Sequence, residues 1–547
     1  MWAVSGLPAY VLRMRPRSIR LSTALLLGSV SACFAACSCD PFPSPDLPAP
    51  PPPPAAERST PVPQEVPGLW VDKEQQANIT SPIVLVPGIL GSFPKNPDDI
   101  EEQADIKDGM RWQLTEEAFA NQYGALARHS ADVFVHIRQR LMAKGYQPDV
   151  SLFAAAYDWR RSIAERDSLH RWLKYAISTF NLKTGGSASS VDVVAHSMGG
   201  LVVRNYIQSS SDQVPDGKVE IRAFAIVASP QFGAADAYHT WAGGFVPPGS
   251  DPGSAKFLSG LLQRMNAKIR PEQKRTIRTF VREYVQSVRD LLPVPETDQN
   301  VDGYLFGWPG GGSRTPFVKM RDENRNKIME QLNDQLKMAP LPGTVAIFLA
   351  SGVKTLQEVE VARPATPELW EDGEPTPRGQ KFADGDGRVL FRQDLMGRLA
   401  RVLAVAPSEH QRAVCVFTPD LFKFLGIPVV AADTCRHDMR APKPILAVTF
   451  TTTTSAELAV KDPKGYVYTN AEFPTLRTAR SRHFHVEVPP EGVYEIGVAG
   501  DPGEHFVFLT SVTGPFAENS VERAFKFVSK TQETWQVELK QGLLAGK

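Results

Sequence analysis

A chain of 547 residues, 42% apolar and 22% charged, has the composition of a globular protein. It is long enough for several folded units. Its 60 Lys and Arg balance 60 Asp and Glu, which excludes the basic surplus a nucleic-acid partner would call for. Beyond the N-terminus, no apolar run is long enough to span a membrane.

The first elements read as export. Arg13, Arg15, Arg17 and Arg20 precede the apolar stretch Leu21 to Ala32, the pattern of a signal peptide. Val30-Ser31-Ala32-Cys33 resembles a bacterial lipobox, whose Cys is acylated and becomes the mature N-terminus. Cys33 is therefore the expected lipid attachment, with Phe34-Ala35-Ala36-Cys37 as a weaker second candidate. Residues 1–37 are the expected signal, and 38–70, with the run Pro50 to Pro54, read as an extended proline-rich linker. Outside this region only Cys415 and Cys435 remain, either paired across a short loop or kept as buried thiols.

From residue 71 to 440, short apolar runs alternate with helical periodicity, which predicts an α/β domain with a mostly parallel sheet. The expected strands are Ile83–Val86, Val191–Val194, Ala223–Ala228, Val345–Leu349 and Val402–Val405. One helix carries the stripe Val133, Ile137, Leu141 and ends at Gly145; a second carries Leu169, Trp172, Leu173, Ala176 and Phe180. The stretch 234–341 interrupts the pattern, with charged helices expected over Glu272–Arg289 and Glu323–Met338, and reads as a cap or lid insertion. From residue 441 to 547, Val- and Thr-rich alternation over Ile445–Thr452, His483–Val488, Tyr494–Val498 and His505–Ser511 predicts an antiparallel β-sandwich.

The chemistry concentrates in Val191-Asp192-Val193-Val194-Ala195-His196-Ser197-Met198-Gly199-Gly200, an apolar strand running through small-x-Ser-x-small into a helix. A sharp strand-to-helix turn needs small neighbours two residues either side of the Ser, here Ala195 and Gly199, and presents its hydroxyl as a nucleophile. The oxyanion donors expected with it are the amides of Met198 and of Ile89, the latter in Val86-Pro87-Gly88-Ile89-Leu90-Gly91. The order Ser, acid, His points to Phe382-Ala383-Asp384-Gly385-Asp386-Gly387-Arg388 for the acid. Asp386, bracketed by glycines, is favoured over Asp384. His410 follows the last expected strand and is favoured over His437, His483, His485 and His505. His483-x-His485 alone does not make a metal site, and no cofactor is implied.

These segments together resemble the lecithin:cholesterol acyltransferase and lysosomal phospholipase-like family of α/β-hydrolases. Ile83 to Ser92 is similar to its first-strand segment, Ala156-Tyr157-Asp158-Trp159-Arg160-Arg161 to its Tyr-Asp-Trp-Arg motif, and Gly385-Asp386-Gly387-Arg388-Val389 to its acid loop. The resemblance covers roughly residues 81 to 425. It implies Ser197, Asp386 and His410 as a triad, Ile89 and Met198 as oxyanion donors, Asp158 and Arg160 as a structural ion pair, and a lipid or other acyl ester as substrate. Within the insertion, Ser287-Val288-Arg289-Asp290-Leu291-Leu292-Pro293 is similar to a Leu-Leu-Pro segment of the family's cap; the rest departs from it. The expected reaction is acyl transfer through a Ser197 ester, to water or to an alcohol. The competing reading is an inert surface lipoprotein that binds a ligand through its C-terminal sandwich.

Overall fold

The computed structural model describes residues 78–546 apart from 97–98, 104–111, 116–132, 211–213, 215, 248–251, 270–275, 295–303, 308–317, 319, 339–340, 343, 365–369, 436–444, 453, 470–475, 478–480 and 515–516. The signal, Cys33, the linker and His437 lie outside these residues.

Six strands form the central sheet: β1 (Ile83–Val86), β2 (Leu152–Ala154), β3 (Ser190–His196), β4 (Glu220–Val227), β5 (Val345–Ser351) and β6 (Arg401–Pro407). They lie in the order β6-β5-β4-β3-β1-β2, and every pairing is parallel. Parallel strands covered on both faces read as unbroken apolar runs. Ile83-Val84-Leu85-Val86 is such a run: Val84 and Val86 enter one core, Ile83 and Leu85 the other. The expected α/β architecture is present, and the sheet gains β2, a strand too short to stand out in sequence.

Helices cover the sheet. The stripe of Ile137 and Leu141 builds α1 (Val135–Ala143), and Gly145 follows it at φ 98°. Leu169, Leu173, Ala176 and Phe180 are the buried face of α2 (Asp167–Thr184), closed by Gly185 in the left-handed region. Helix α3 (Met198–Gln208) leaves β3 directly.

Between β4 and β5 the chain builds the cap from α4 (Ala237–Gly243), α5 (Pro252–Lys268), α6 (Ile277–Tyr284) and α7 (Lys327–Met338). The two long helices expected there are shorter. Val285, at φ −128° and ψ 59°, ends α6, and the separate turn Ser287–Asp290 is tied down where Asp290 accepts from Ser162 Oγ (2.7 Å) and Ile163 N (3.0 Å). Before α7, buried Asn324 donates to Asp372 and accepts from Trp241 Nε1, which holds residues 322–324 in a 3₁₀ turn. A further excursion follows β5, a long antiparallel hairpin of Val353–Ala362 and Glu374–Gly385. Its Pro- and Gly-containing second strand gave no strand signal.

The C-terminal region is two five-stranded antiparallel sheets enclosing their own core, with Leu446, Val448, Leu458, Ile496, Val507 and Trp535 among its members. The four expected segments are strands there, at Ile445–Thr452, Ser481–Glu487, Gly492–Gly500 and Gly503–Gly514. Cys415 and Cys435 form a disulfide. Among the described residues no helix is long and apolar enough to cross a membrane.

Candidate active site

In an open parallel sheet a crevice opens beyond the C-terminal strand ends, where successive connections leave in opposite directions. Here the chain passes from β1 outward to β2, then back across to β3, so the loops after β1 and β3 flank that crevice. Gly88 follows β1 and Ser197 follows β3. They lie so close that a Cβ on Gly88 would stand 2.7 Å from Ser197 Cβ.

Ser197 adopts φ 55° and ψ −131°, a conformation costly for a residue with a side chain, between the last residue of β3 and the first of α3. The turn tolerates nothing larger than Gly199 behind it, because a Cβ there would collide with the carbonyl oxygens of Val86 and Pro87. Buried Ala195, in β3, takes the place of the other small residue.

His410 stands beyond the C-terminal end of β6 and Asp386 beyond that of β5, where the long hairpin returns to the sheet. The imidazole Nδ1 donates to Asp386 Oδ2 at 2.8 Å, which leaves Nε2 to accept from the Ser197 hydroxyl at 2.9 Å. Asp386 is 1% exposed, and its second oxygen accepts from the amides of Arg388 (2.9 Å) and Val389 (2.7 Å). The backbones are joined as well, His410 N donating to Asp386 O at 2.9 Å. Asp384 is engaged elsewhere, accepting from Gly352 N at 2.6 Å and Gly385 N at 2.9 Å. His505 is buried in the sandwich core, facing Thr452 Oγ1. His483 and His485 also lie on a sandwich strand, Ser481–Glu487.

Ile89 lies in the loop after β1, and Met198 directly follows Ser197. Met198 opens α3, whose first amides have no intrahelical acceptor and carry the positive end of the helix dipole. Ile89 lines the same cleft as Ser197. The loop carrying it is braced, since the partly buried Tyr157 donates its hydroxyl to Pro87 O at 2.9 Å. Next in sequence, Arg160 pairs bidentately with Asp158 (2.7 and 2.6 Å) and donates to the carbonyls of Ile100 and Gln103. Both ends of that pair are therefore committed to structure.

Two contacts had no separate signal in the sequence. Buried His196 donates through Nε2 to the carbonyl of His410 at 2.9 Å, and the two rings are 4.7 Å apart. Burial and the neighbouring imidazole push its pKa down to about 3, so His196 is neutral at working pH. Arg388, beside Asp386, pairs with Asp236 at 2.6 Å and so ties the acid loop to the start of α4.

Above Ser197 the cleft has an empty volume of about 1310 Å³, its open mouth included. Its walls are mostly apolar, with Leu90, Val246, Leu258, Val288 and Leu291 contributed by the loop after β1 and the cap. The Leu-Leu-Pro segment is held there by Ala234 N donating to Leu291 O at 2.8 Å. Among the described residues no group of three or more His, Cys, Asp or Glu side chains is arranged to hold a metal ion.

Residues 117–247 match the family described as lecithin:cholesterol acyltransferase. This agrees with the resemblance read from the sequence, and the matched stretch holds Tyr157 to Arg160 and Ser197 but not Asp386 or His410. No curated protein matches the chain. Among solved structures, the propeptide form of a Bacillus licheniformis lipase, BlEst2, is similar at 9% identity and TM-score 0.26, covering 87% of this chain and 97% of its own. Phospholipase PlaB from Legionella pneumophila in complex with thio-NAD is similar at 8% identity and TM-score 0.25, covering 82% and 90%.

Proposed function

We propose that this chain, similar over residues 117–247 to the lecithin:cholesterol acyltransferase family, is a serine-dependent lipid-ester hydrolase or O-acyltransferase. The observation that carries the reading is the hydrogen-bonded series Ser197, His410, Asp386 at the floor of an apolar cleft. Ser197 Oγ attacks the acyl carbonyl while His410 Nε2 takes its proton, and Asp386 holds the imidazole in the tautomer that can do so and stabilises the imidazolium. The amides of Ile89 and Met198 receive the oxyanion. Collapse of the tetrahedral intermediate expels the alcohol, which takes the proton from His410, and leaves the acyl group on Ser197. Water or an acceptor alcohol, deprotonated by His410, then releases it. The apolar walls of the cleft suit the acyl chain of a lipid ester.

Replacing Ser197 with Ala should leave the fold intact and lower turnover of a short-chain ester by at least about three orders of magnitude. Turnover near wild type would overturn the assignment. A panel of phospholipids and acyl esters, with and without an alcohol acceptor, separates hydrolase from transferase.

The same reading places the protein in the cell envelope or outside the cell. The lipobox-like Cys33 and the proline-rich spacer support a lipid anchor, and the Cys415–Cys435 disulfide suits an oxidising compartment. We take residues 71–440 as the catalytic domain and 441–547 as the sandwich domain. Cys33→Ser should remove the processed chain from the membrane fraction. A processed chain that stays there would contradict acylation at Cys33.

A further inference from the structure

We propose that the pocket between α2, α3 and α7 binds a phosphate group, as the free anion or as a phosphomonoester. This pocket shares no residue with the cleft above Ser197.

Its empty volume is about 520 Å³, open mouth included, and Arg166, Asn205, Gln208, Ser209, Ser210 and Gln331 form its polar wall. Acceptors in and around that wall are already taken. Asn205 Oδ1 accepts from Arg166 at 3.4 Å, Gln208 Oε1 from Arg204 Nε at 2.7 Å, and Leu332 O from Gln208 Nε2 at 3.0 Å. The carbonyls of Ile207 and Ser209, at the end of α3, both accept from Lys218 Nζ. What remains is a surplus of donors. A guanidinium offers five N–H groups and no acceptor. Among the described residues Arg166 makes only the long bond to Asn205, and its buried Nε has no partner.

The charges point the same way. Three cations gather here, Arg166, Lys218 and Arg204. Arg204 is fully buried, and its guanidinium donates to the neutral side chains of Gln208, Gln231 and Asn333. Burial pushes its pKa down to about 9, so it is still charged at neutral pH. Burial, and then the charge of Arg166, also lowers the pKa of Lys218. No carboxylate lines the pocket among the described residues. Of the neighbouring acids, Glu165 pairs with Arg161, Asp216 with Lys174 and Glu330 with Arg325, while Asp167 and Asp334 are exposed. Helix α2 starts at this wall without a side-chain cap, which adds the positive end of its dipole.

Buried charge is costly unless paired, so an arginine fork without a counter-ion, beside two further cations, selects an anion. Donors stand on three elements, Arg166 before α2, Ser210 after α3 and Gln331 on α7. That arrangement suits tetrahedral oxygens facing several ways, whereas the fork alone satisfies a planar carboxylate. A bound phosphate would join α7 of the cap to α3, the helix that begins at Met198.

The test is isothermal titration of the full chain with sodium phosphate and with glycerol 3-phosphate at constant ionic strength, with acetate as the carboxylate control. Expected is one site with a Kd of about 1 mM or tighter for a phosphate ligand, and binding of acetate weaker by at least about tenfold. Tighter binding of the ester would identify the phosphomonoester as the ligand, and tighter binding of phosphate the free anion; either supports the site. Arg166→Gln should weaken phosphate binding by at least about tenfold. Ser210→Asp, at an exposed position, should do the same by setting a carboxylate beside Arg166. Native-like melting of both variants without phosphate excludes misfolding as the cause, and if Arg166→Gln does not fold, Ser210→Asp decides. No binding of either phosphate ligand, acetate bound as tightly, or unchanged affinity in the folded variants would overturn the proposal.

Discussion

Asp386 gains its place from its neighbours. With glycine on both sides, its carboxylate reaches His410 through one oxygen while the other is fixed by two amides of its own loop. Asp386→Asn should put the imidazole in the wrong tautomer and cost about 10⁴ in kcat, whereas Asp384→Asn should cost little. Steady-state kinetics on a soluble ester checks both, and the reverse ranking would contradict the assignment. Ser197, Asp386 and His410 were legible because each sits in a local pattern that chemistry requires: small residues around a strained turn, glycines around a carboxylate, a His after the last strand. His196 was not. It occupies the unconstrained position of the Ser motif, and its bond to the His410 carbonyl joins residues 214 positions apart. We expect His196→Phe to lower kcat roughly tenfold with little change in KM, as loss of a positioning contact does. An unchanged kcat would assign it to packing alone.

Two elements hold the loops of the proposed site against the sheet, and neither had a periodic signal. The hairpin Val353–Gly385 delivers Asp386 but contains Pro375, Pro377 and Gly379, so it read as loop. The segment after His410 is anchored by the Cys415–Cys435 bond and by buried Asp433, which accepts from Arg140 Nε at 2.8 Å and pairs with Lys144 at 3.2 Å. The sequence left pairing and free thiols equally open, because their approach depends on how residues 416–434 pack. With the cysteines 20 residues apart, the chain-entropy relation gives the bond about 3 kcal/mol. The Cys415→Ala, Cys435→Ala double variant should be less stable by about that amount in urea unfolding. Unchanged stability would mean that packing and Asp433 hold the segment without the disulfide.

Across the molecule, short unbroken apolar runs between helical stretches announced the parallel sheet and residue-by-residue alternation part of the sandwich, while the cap was legible only as an interruption. Its helices are bound by buried polar contacts among distant residues. An example is Glu101, which burial pushes up but Arg264 and Lys268 hold below the usual carboxylate range. Burial of His196 and His239 contributes to the pH dependence of the fold. Desolvation lowers their pKa values to about 3 and about 4 from an ordinary 6.5. Below about 6.5 the unfolded chain therefore binds more protons than the folded one. Stability is fully present above that pH and declines as the pH falls toward 4 and then 3, so the melting temperature should begin to drop below about pH 6.5. A flat profile down to pH 4 would contradict buried neutral imidazoles. The most direct measurement of the central claim is covalent trapping with a fluorophosphonate, followed by peptide mass mapping of the native and Ser197→Ala chains. A single phosphonyl adduct on Ser197, absent from the variant, is the predicted result; an unlabelled native protein, or an adduct on another residue, would contradict it.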